Sequence, residues 1–130
     1  MNPPPAQRLR VVAPLFLIEE LPHGESPGDD WIAQVRTPEG TTVVRTAAPG
    51  SAGDLWTGFY GAATAHDLDV PGMLAAIVNP LAEAAIPVFV ASTVQADLVL
   101  VPRSTQPQAV AALQRAGHEI DPTSTPTTPF

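Results

Sequence analysis

Apolar residues in the first part of the chain fall into patterns that predict β-strands. The run from Leu9 to Leu21 is strongly apolar and is interrupted by Pro14. Because proline has no backbone N–H to donate to a neighbouring strand, this pattern predicts a strand with a bend at that residue. Trp31 to Arg36 and Thr41 to Thr46 are rich in Val, Ile and Thr and flank a connector with proline and glycine. They therefore predict a hairpin.

The second half of the chain alternates between strand-like and helix-like segments. Trp56 to Ala63 is an aromatic, glycine-containing strand candidate. From Pro71 to Ile86 the apolar residues recur at steps of three and four, which is the spacing of one helical face. Pro80 lies inside this segment and is expected to kink the helix. Val88 to Thr93 and Leu98 to Val101 are short and rich in β-branched residues, which predicts a second hairpin.

A second helix is predicted after this hairpin. Thr105 and Gln108 have the spacing of a capping box, in which threonine is the N-cap and glutamine returns a hydrogen bond three residues later. The helix is expected to stop at Gly117, because glycine readily adopts the left-handed conformation that follows a helix. His118 to Ile120 predicts a last edge strand.

The order strand, helix, strand, strand, helix, strand predicts an α+β fold. It is typical of a ferredoxin-like βαββαβ unit, with both helices on one face of an antiparallel sheet. The first half repeats this order only in part, with short Gly/Pro loops where helices would stand. We therefore predict a tandem in which residues 8–54 form a degenerate, β-rich half and residues 55–120 form the full unit. The ends, 1–7 and 121–130, are predicted to be flexible tails.

The charge of the chain narrows its possible partners. Thirteen acidic residues stand against six arginines and no lysine, for a formal charge of −7. This excess argues against nucleic-acid partners and against binding to an anionic membrane surface. The N-terminus has no basic start followed by an apolar run, and the apolar stretches end well short of the roughly 20 residues that a membrane span needs. We expect a soluble, cytoplasmic protein.

Candidate catalytic groups are sparse. The chain has no cysteine and no lysine, which removes thiolate and Schiff-base chemistry. His23, His66 and His118 are far apart and lack metal-ligand spacing. His66 stands beside Asp67, yet no serine lies in a nucleophile-elbow context. No glycine-rich phosphate loop occurs. The sequence predicts neither an enzyme nor a cofactor or metal site.

Three segments resemble a known family. The stretch from Ile86 to Val101 carries the spacing Ser-Thr-x-x-x-Asp-x-x-Leu-Val, and His66 to Leu74 is similar to that family's turn before its first helix. Arg36 to Gly40 resembles its N-terminal hairpin. The family is the ACT domain, in particular the stand-alone bacterial branch related to the cytosolic arginine sensors. The resemblance implies that residues 55–120 form an ACT domain and that residues 8–54 form a degenerate ACT-like half.

The resemblance implies a non-catalytic regulatory or sensor module. ACT domains bind small effectors, usually amino acids, at interfaces between paired domains, so we expect an amino-acid ligand and a homodimer. In this branch the ligand contacts lie on the turn before the first helix and on the Ser-Thr-x-x-x-Asp hairpin. Carried over by position, the ligand-binding residues are Asp67, Gly72, Thr93, Val94, Ala96 and Asp97.

These positions also make chemical sense for a zwitterion. Gly72 opens a helix whose free N–H groups can receive a carboxylate, and Asp97 can pair with an ammonium or guanidinium group. The turn before the first helix departs from the family pattern at Asp69 and Pro71. Val94 also departs from it, since the family often has an aromatic residue after Ser-Thr. The pocket therefore either accepts a different ligand or no longer binds one. The alternative function is a structural or protein-interaction domain with this fold and no ligand site.

Overall fold

Seven strands and two helices lie in the residues that the computed structural model describes, which are 6–61, 71–124 and 130. The elements, in chain order, are β1 (Arg8–Leu21), β2 (Trp31–Thr37), β3 (Gly40–Thr46), β4 (Trp56–Tyr60), α1 (Met73–Glu83), β5 (Phe89–Ser92), β6 (Asp97–Pro102), α2 (Gln106–Arg115) and β7 (Glu119–Ser124). A 3-10 turn, Arg103–Thr105, leads into α2. The α+β class, with a mainly antiparallel sheet and two helices, is confirmed.

The seven strands form one sheet in which β1 is the central element. The strand order is β2-β3-β1-β4-β6-β5, and β7 pairs with β1. The first half of β1 lies between β4 and β7, and its second half pairs with β3 from Phe16 to Leu21. The register of β1 against β4 shifts between Val12 and Phe16, on either side of Pro14. The predicted bend therefore lies where β1 passes from one set of partners to the next.

The strand pairing differs from that of a self-contained βαββαβ unit. In such a unit the last strand would pair with the first, which here would place β7 against β4. Instead β1 pairs antiparallel with β4 and parallel with β7, and so lies between them. Residues 55–120 therefore do not form the predicted self-contained ferredoxin-like arrangement, because a strand from residues 8–54 lies between their first and last strands. Strand β7 also continues to Ser124, beyond the boundary predicted at Ile120, because β1 supplies partners for its backbone.

One face of the sheet is covered by the two helices. Their contacts with the sheet form a largely aliphatic core, the helix-side core, which contains Leu9, Val11, Phe59, Ile77, Leu81, Ile86, Val99, Val101, Ala109 and Leu113. Residues of β1, β4 and β6 reach it at alternate positions, as the period of two in a strand requires. The predicted apolar face of α1 contributes Ile77 and Leu81, and Pro80 lies within that helix.

The opposite face of the sheet curls upon itself and encloses a second core. This inner cluster contains the buried residues Val12, Phe16, Val44, Leu98 and Leu100. Strands β2 and β5 stand at the two ends of the strand order, yet residues of β2, β3 and β5 line one common groove of about 310 Å³. The sheet is therefore barrel-like, with apolar side chains inside the curl.

The start of α2 differs from the predicted capping box. Thr105 is the N-cap residue, as expected, but its hydroxyl donates to the carbonyl oxygen of Pro102 at 2.7 Å and makes no cap hydrogen bond. The preceding 3-10 turn brings that carbonyl within reach of Thr105. At the other end of α2 the prediction is confirmed, since Gly117 follows the C-cap with φ of 100°.

A buried polar network joins the start of β1 to α1 and to His118, which follows α2. The backbone N–H of Gln7 donates to Nδ1 of His118 at 3.0 Å, and Nε2 of His118 lies 2.7 Å from the carbonyl oxygen of Ala76. Because Nδ1 accepts, the ring is neutral with its proton on Nε2. The side-chain amide of Gln7 also donates to the carbonyl oxygen of Met73. His118 is thus a core residue rather than a metal ligand.

The exposed ion pair between Arg8 and Asp121 spans the parallel strands β1 and β7. The guanidinium donates to both carboxylate oxygens at 3.0 to 3.3 Å. The pKa of Arg8 is raised, first by the hydrogen bond with Asp121 and then by the negative charges of Asp121 and Glu119. Since this ion pair is exposed to solvent, it adds little to stability.

Gly58 provides the first test of the packing. A Cβ atom at this position would lie 2.8 Å from Cε2 of Phe16 and 3.2 Å from Cδ1 of Leu98. Because both neighbours are buried, we expect Gly58→Ala to lower the free energy of unfolding by about 1–3 kcal/mol, measured by urea denaturation. The Phe16→Leu background should reduce this penalty. An equal penalty in both backgrounds would contradict the close contact between Gly58 and the Phe16 ring.

His118 provides a second test. Replacement by alanine leaves the Gln7 N–H and the Ala76 carbonyl buried without their partner, so His118→Ala should cost about 2 kcal/mol or more of unfolding free energy. The matched control is His23→Ala, because His23 is exposed and should change stability by no more than about 0.5 kcal/mol. Similar effects of the two substitutions would contradict the bridging role of His118.

Candidate functional site

The Ser92–Asp97 hairpin contains four of the six predicted ligand-binding residues. Ser92 and Asp97 pair across the ends of β5 and β6, and the hydroxyl of Ser92 donates to Oδ1 of Asp97 at 2.6 Å. The Asp97 residue is only 7% exposed. Its carboxylate is therefore held at the base of the hairpin rather than extended into solvent.

Thr93 organises the hairpin loop. Its hydroxyl oxygen accepts from the backbone N–H groups of Gln95 and Ala96 at 3.2 and 3.0 Å, and the hydroxyl donates to the Ala96 carbonyl. The backbone N–H of Thr93 donates to the same carbonyl at 2.7 Å. These bonds define a tight turn built around the threonine side chain. Val94, at the tip, is 73% exposed, whereas Ala96 is buried.

The first helix begins at the predicted glycine. Gly72 is the N-cap of α1 and has φ of 85°, a left-handed conformation that glycine adopts at no steric cost. Among the described residues no side chain caps this helix end, and its first turn contains no acidic residue. No atom of the described residues lies within 4 Å of the position that a Cβ atom at Gly72 would occupy. Within the described part of the chain, this side of the helix start and its first N–H groups are therefore uncovered.

The Ser92–Asp97 hairpin and the start of α1 lie at the same end of the sheet. The backbone N–H of Gly61, just after β4, donates to the carbonyl oxygen of Asp97 at 3.3 Å. Gly61 also lies beside Gln7, since a Cβ atom at Gly61 would be 3.7 Å from Oε1 of Gln7. The amide of Gln7 in turn donates to the Met73 carbonyl at 2.8 Å. A chain of contacts thus links the base of the hairpin to the first residue of α1.

Asp67, the remaining predicted site residue, lies outside the described residues. So do His66 and Asp69, on which the resemblance of the turn depends. The flanking residues Gly61 and Gly72 are described, and both belong to the end of the sheet that carries Asp97. We refer below to this end, defined by Gly61, Gly72, Met73 and the Ser92–Asp97 hairpin, as the hairpin end.

A larger cleft, which the sequence did not predict, lies at the other end of the sheet. It has a volume of about 720 Å³ and is lined by Gly53, Asp54, Leu55, Trp56, Pro87, Pro102, Arg103 and Ser104. Three separate segments meet there, because Trp56 pairs with Pro102 and the Arg103 N–H donates to the Leu55 carbonyl. The cleft combines an indole, two prolines and two charged residues, but no local sequence motif marks it.

Within the described ranges, no three His, Cys, Asp or Glu side chains come together in a way that could hold a metal ion. In the part of the chain that the structure describes, no helix has the length and apolar character needed to cross a membrane.

Residues 52–115, from just before β4 to the end of α2, match the family model of the ACT domain. The match covers about half of the chain and supports the ACT-domain family for that segment. ACT domains are in general regulatory rather than catalytic modules, and they bind small molecules. No curated protein matches the chain.

Solved structures extend the likeness to almost the whole chain. The crystal structure of protein Atu0741 from Agobacterium tumefaciens is similar with a TM-score of 0.78 and 21% identity, covering 95% of this chain and 98% of that one. A protein of unknown function from Vibrio cholerae, VC0802, reported as a possible transport protein, is similar with a TM-score of 0.67 and 24% identity. That likeness covers 81% of this chain and 85% of the other. At these identities the likeness shows a shared fold.

Thr93 supplies a test of how the hairpin is built. Thr93→Val keeps the side-chain shape but removes the acceptor for two loop N–H groups, so it should lower the free energy of unfolding by about 1 kcal/mol. Val94→Ala is the matched control, since this exposed side chain should contribute less than about 0.5 kcal/mol. If Thr93→Val is as stable as the control, the threonine does not organise the loop.

Proposed function

We propose that this protein is a non-catalytic regulatory module that binds an amino acid at the hairpin end of its sheet. The observation that carries the proposal is the contact chain from Asp97 through Gly61 and Gln7 to Met73. It brings an acidic residue and a helix start to one end of the domain. An amino acid needs these two kinds of partner close together, one for its ammonium group and one for its carboxylate.

The acidic partner is Asp97. Its hydrogen bond with Ser92 fixes the orientation of the carboxylate, and its low exposure reduces the screening of its charge by water. A positioned carboxylate of this kind forms strong, charge-assisted hydrogen bonds with an ammonium or guanidinium group. A cationic ligand such as arginine would satisfy the same partner through its side chain.

The partner for the ligand carboxylate is the start of α1. The helix dipole places partial positive charge on the first N–H groups, which makes such a terminus an anion site. The space around Gly72 leaves these groups approachable, and the described residues supply no competing cap. Asp67 would complete the site from the preceding turn, and Thr93, Val94 and Ala96 would shape its other wall.

The assembly follows from the same proposal. We place the chain in the branch related to the arginine sensors, with residues 8–54 as a degenerate ACT-like half beside the ACT domain of residues 55–120. The exposed Val94 at the hairpin tip fits a homodimer in which a second copy covers the site. The excess of acidic residues and the ACT class both fit a cytoplasmic module that binds small molecules rather than nucleic acid or membranes.

A second candidate, an interaction domain without a ligand site, is favoured by one observation. The hydroxyl groups of both Ser92 and Thr93 are engaged within the hairpin itself. In that case the same residues stabilise the loop and do nothing further. Ligand binding decides between the two candidates.

The test is a thermal-shift and calorimetric screen of the twenty amino acids. A ligand at a hundred times its Kd should stabilise the protein by about 2.7 kcal/mol. Asp97→Asn, which keeps the shape and can still accept from Ser92, should reduce the affinity at least tenfold. Glu83→Gln, at the far end of α1, is the control and should bind as the parent does. If no amino acid binds the parent, the sensing function is wrong; undiminished binding by Asp97→Asn would overturn only the site.

A further inference from the structure

The ring of Phe130 is partly buried and packs against the inner cluster of the curled sheet. It makes edge-to-face contacts with Phe16, at a centroid distance of 5.9 Å and 83° between planes, and with Tyr60, at 5.3 Å and 82°. Both geometries lie in the range that aromatic pairs prefer. Phe130 belongs to no strand or helix, and β7 ends at Ser124. The ring is therefore placed by its contacts with the inner cluster and not by the hydrogen bonds of a sheet.

The surroundings of this ring are unusually aromatic. The chain has four phenylalanines, one tyrosine and two tryptophans. Five of these side chains pack in or against the inner cluster, namely Phe16, Trp56, Tyr60, Phe89 and Phe130. The helix-side core, by contrast, contains Phe59 as its one aromatic member among the described residues. The inside of the curl is thus suited to flat rings, while the helix side is filled by branched aliphatic groups.

The inner cluster is also open to one side. The groove of about 310 Å³ between the end strands is lined in part by Ala33, Val44 and Phe89. These three residues belong to or pack against the inner cluster. A small molecule can therefore reach the apolar interior between β5 and the β2–β3 hairpin, without passing through the helix-side core.

We propose that the interior of the curled sheet is a binding site for a small aromatic molecule, and that Phe130 is its internal occupant in this structure. The site is separate from the hairpin end and takes a different class of ligand, selected by its ring and not by ammonium and carboxylate groups. Apolar cavities of about 150 Å³, the size left by a large side chain, stay dry and bind a single aromatic ring. Phe130 competes with the ligand and lowers its apparent affinity.

Trp56 offers a local reporter for the test. It packs against the inner cluster, whereas the second tryptophan, Trp31, is 39% exposed. In a Trp31→Phe background Trp56 is the remaining tryptophan, and because it also lines the 720 Å³ cleft, the change caused by Phe130→Ala identifies the site. Nitrobenzene, a small uncharged aromatic quencher, is the probe, and its binding is followed as saturable quenching at equilibrium.

We expect Phe130→Ala to bind nitrobenzene about tenfold more tightly than the Trp31→Phe parent, with one site per chain. His23→Ala, which removes an exposed side chain elsewhere, is the control and should bind as the parent does. Cooperative urea unfolding establishes that each variant keeps its fold. A folded Phe130→Ala whose quenching matches that of the parent would overturn the proposal.

Phe130→Leu covers the case in which the alanine variant loses its fold. Leucine keeps an apolar contact but lacks the flat ring, so its affinity for nitrobenzene should exceed that of the parent. Affinity equal to that of the parent in a folded Phe130→Leu would again overturn the proposal. Amino-acid binding at the hairpin end should be unchanged in both variants, which keeps the failure of either site distinguishable from the failure of the other.

Discussion

The pairing of β1 with three other strands is the constraint on which the rest of the structure depends. Its first half lies between β4 and β7, and its second half pairs with β3 of the β2–β3 hairpin. Without β1, the segment that matches the ACT domain would lack the strand that connects its first and last strands. The N-terminal residues are therefore part of the same sheet, and their folding is coupled to that of the C-terminal half.

This central strand also divides the core in two. Leu9 and Val11 face the helices, whereas Val12 and Phe16 face the inside of the curl. Because successive side chains of a strand point to opposite faces of the sheet, this one strand supplies both cores. Gly58, on the neighbouring strand, leaves room for the Phe16 ring. The polar network of Gln7 and His118 then fixes the beginning of β1 against α1. This sets the position of the Ser92–Asp97 hairpin relative to the start of that helix.

Local elements were largely predictable from the sequence, whereas the pairing that joins them was not. The β2–β3 hairpin, α1 and the β5–β6 hairpin follow from periodicity and turn residues. The position of β1 between β4 and β7 leaves no local pattern, because any apolar strand could take that place. The capping box failed for a similar reason, since spacing alone cannot show that the Thr105 hydroxyl finds the Pro102 carbonyl first.

The candidate site was predictable only to the extent that a motif marks it. The Ser92 to Asp97 spacing pointed to a hairpin whose serine and aspartate are indeed in contact. The 720 Å³ cleft at Trp56 and Arg103 was missed, because its lining comes from three segments that only the fold brings together. The packing of the Phe130 ring was not predicted either, because this residue belongs to a segment whose composition predicts a flexible tail.

The most direct test of the account is an NMR titration of the isotope-labelled protein with the amino acid that stabilises it most. We expect the backbone amide signals of Gly61, Gly72, Met73 and the Ser92–Asp97 hairpin to shift most and to saturate together. The signals of Trp56 and Arg103, at the opposite cleft, should stay in place. Shifts concentrated at that cleft, with the hairpin end unaffected, would contradict it.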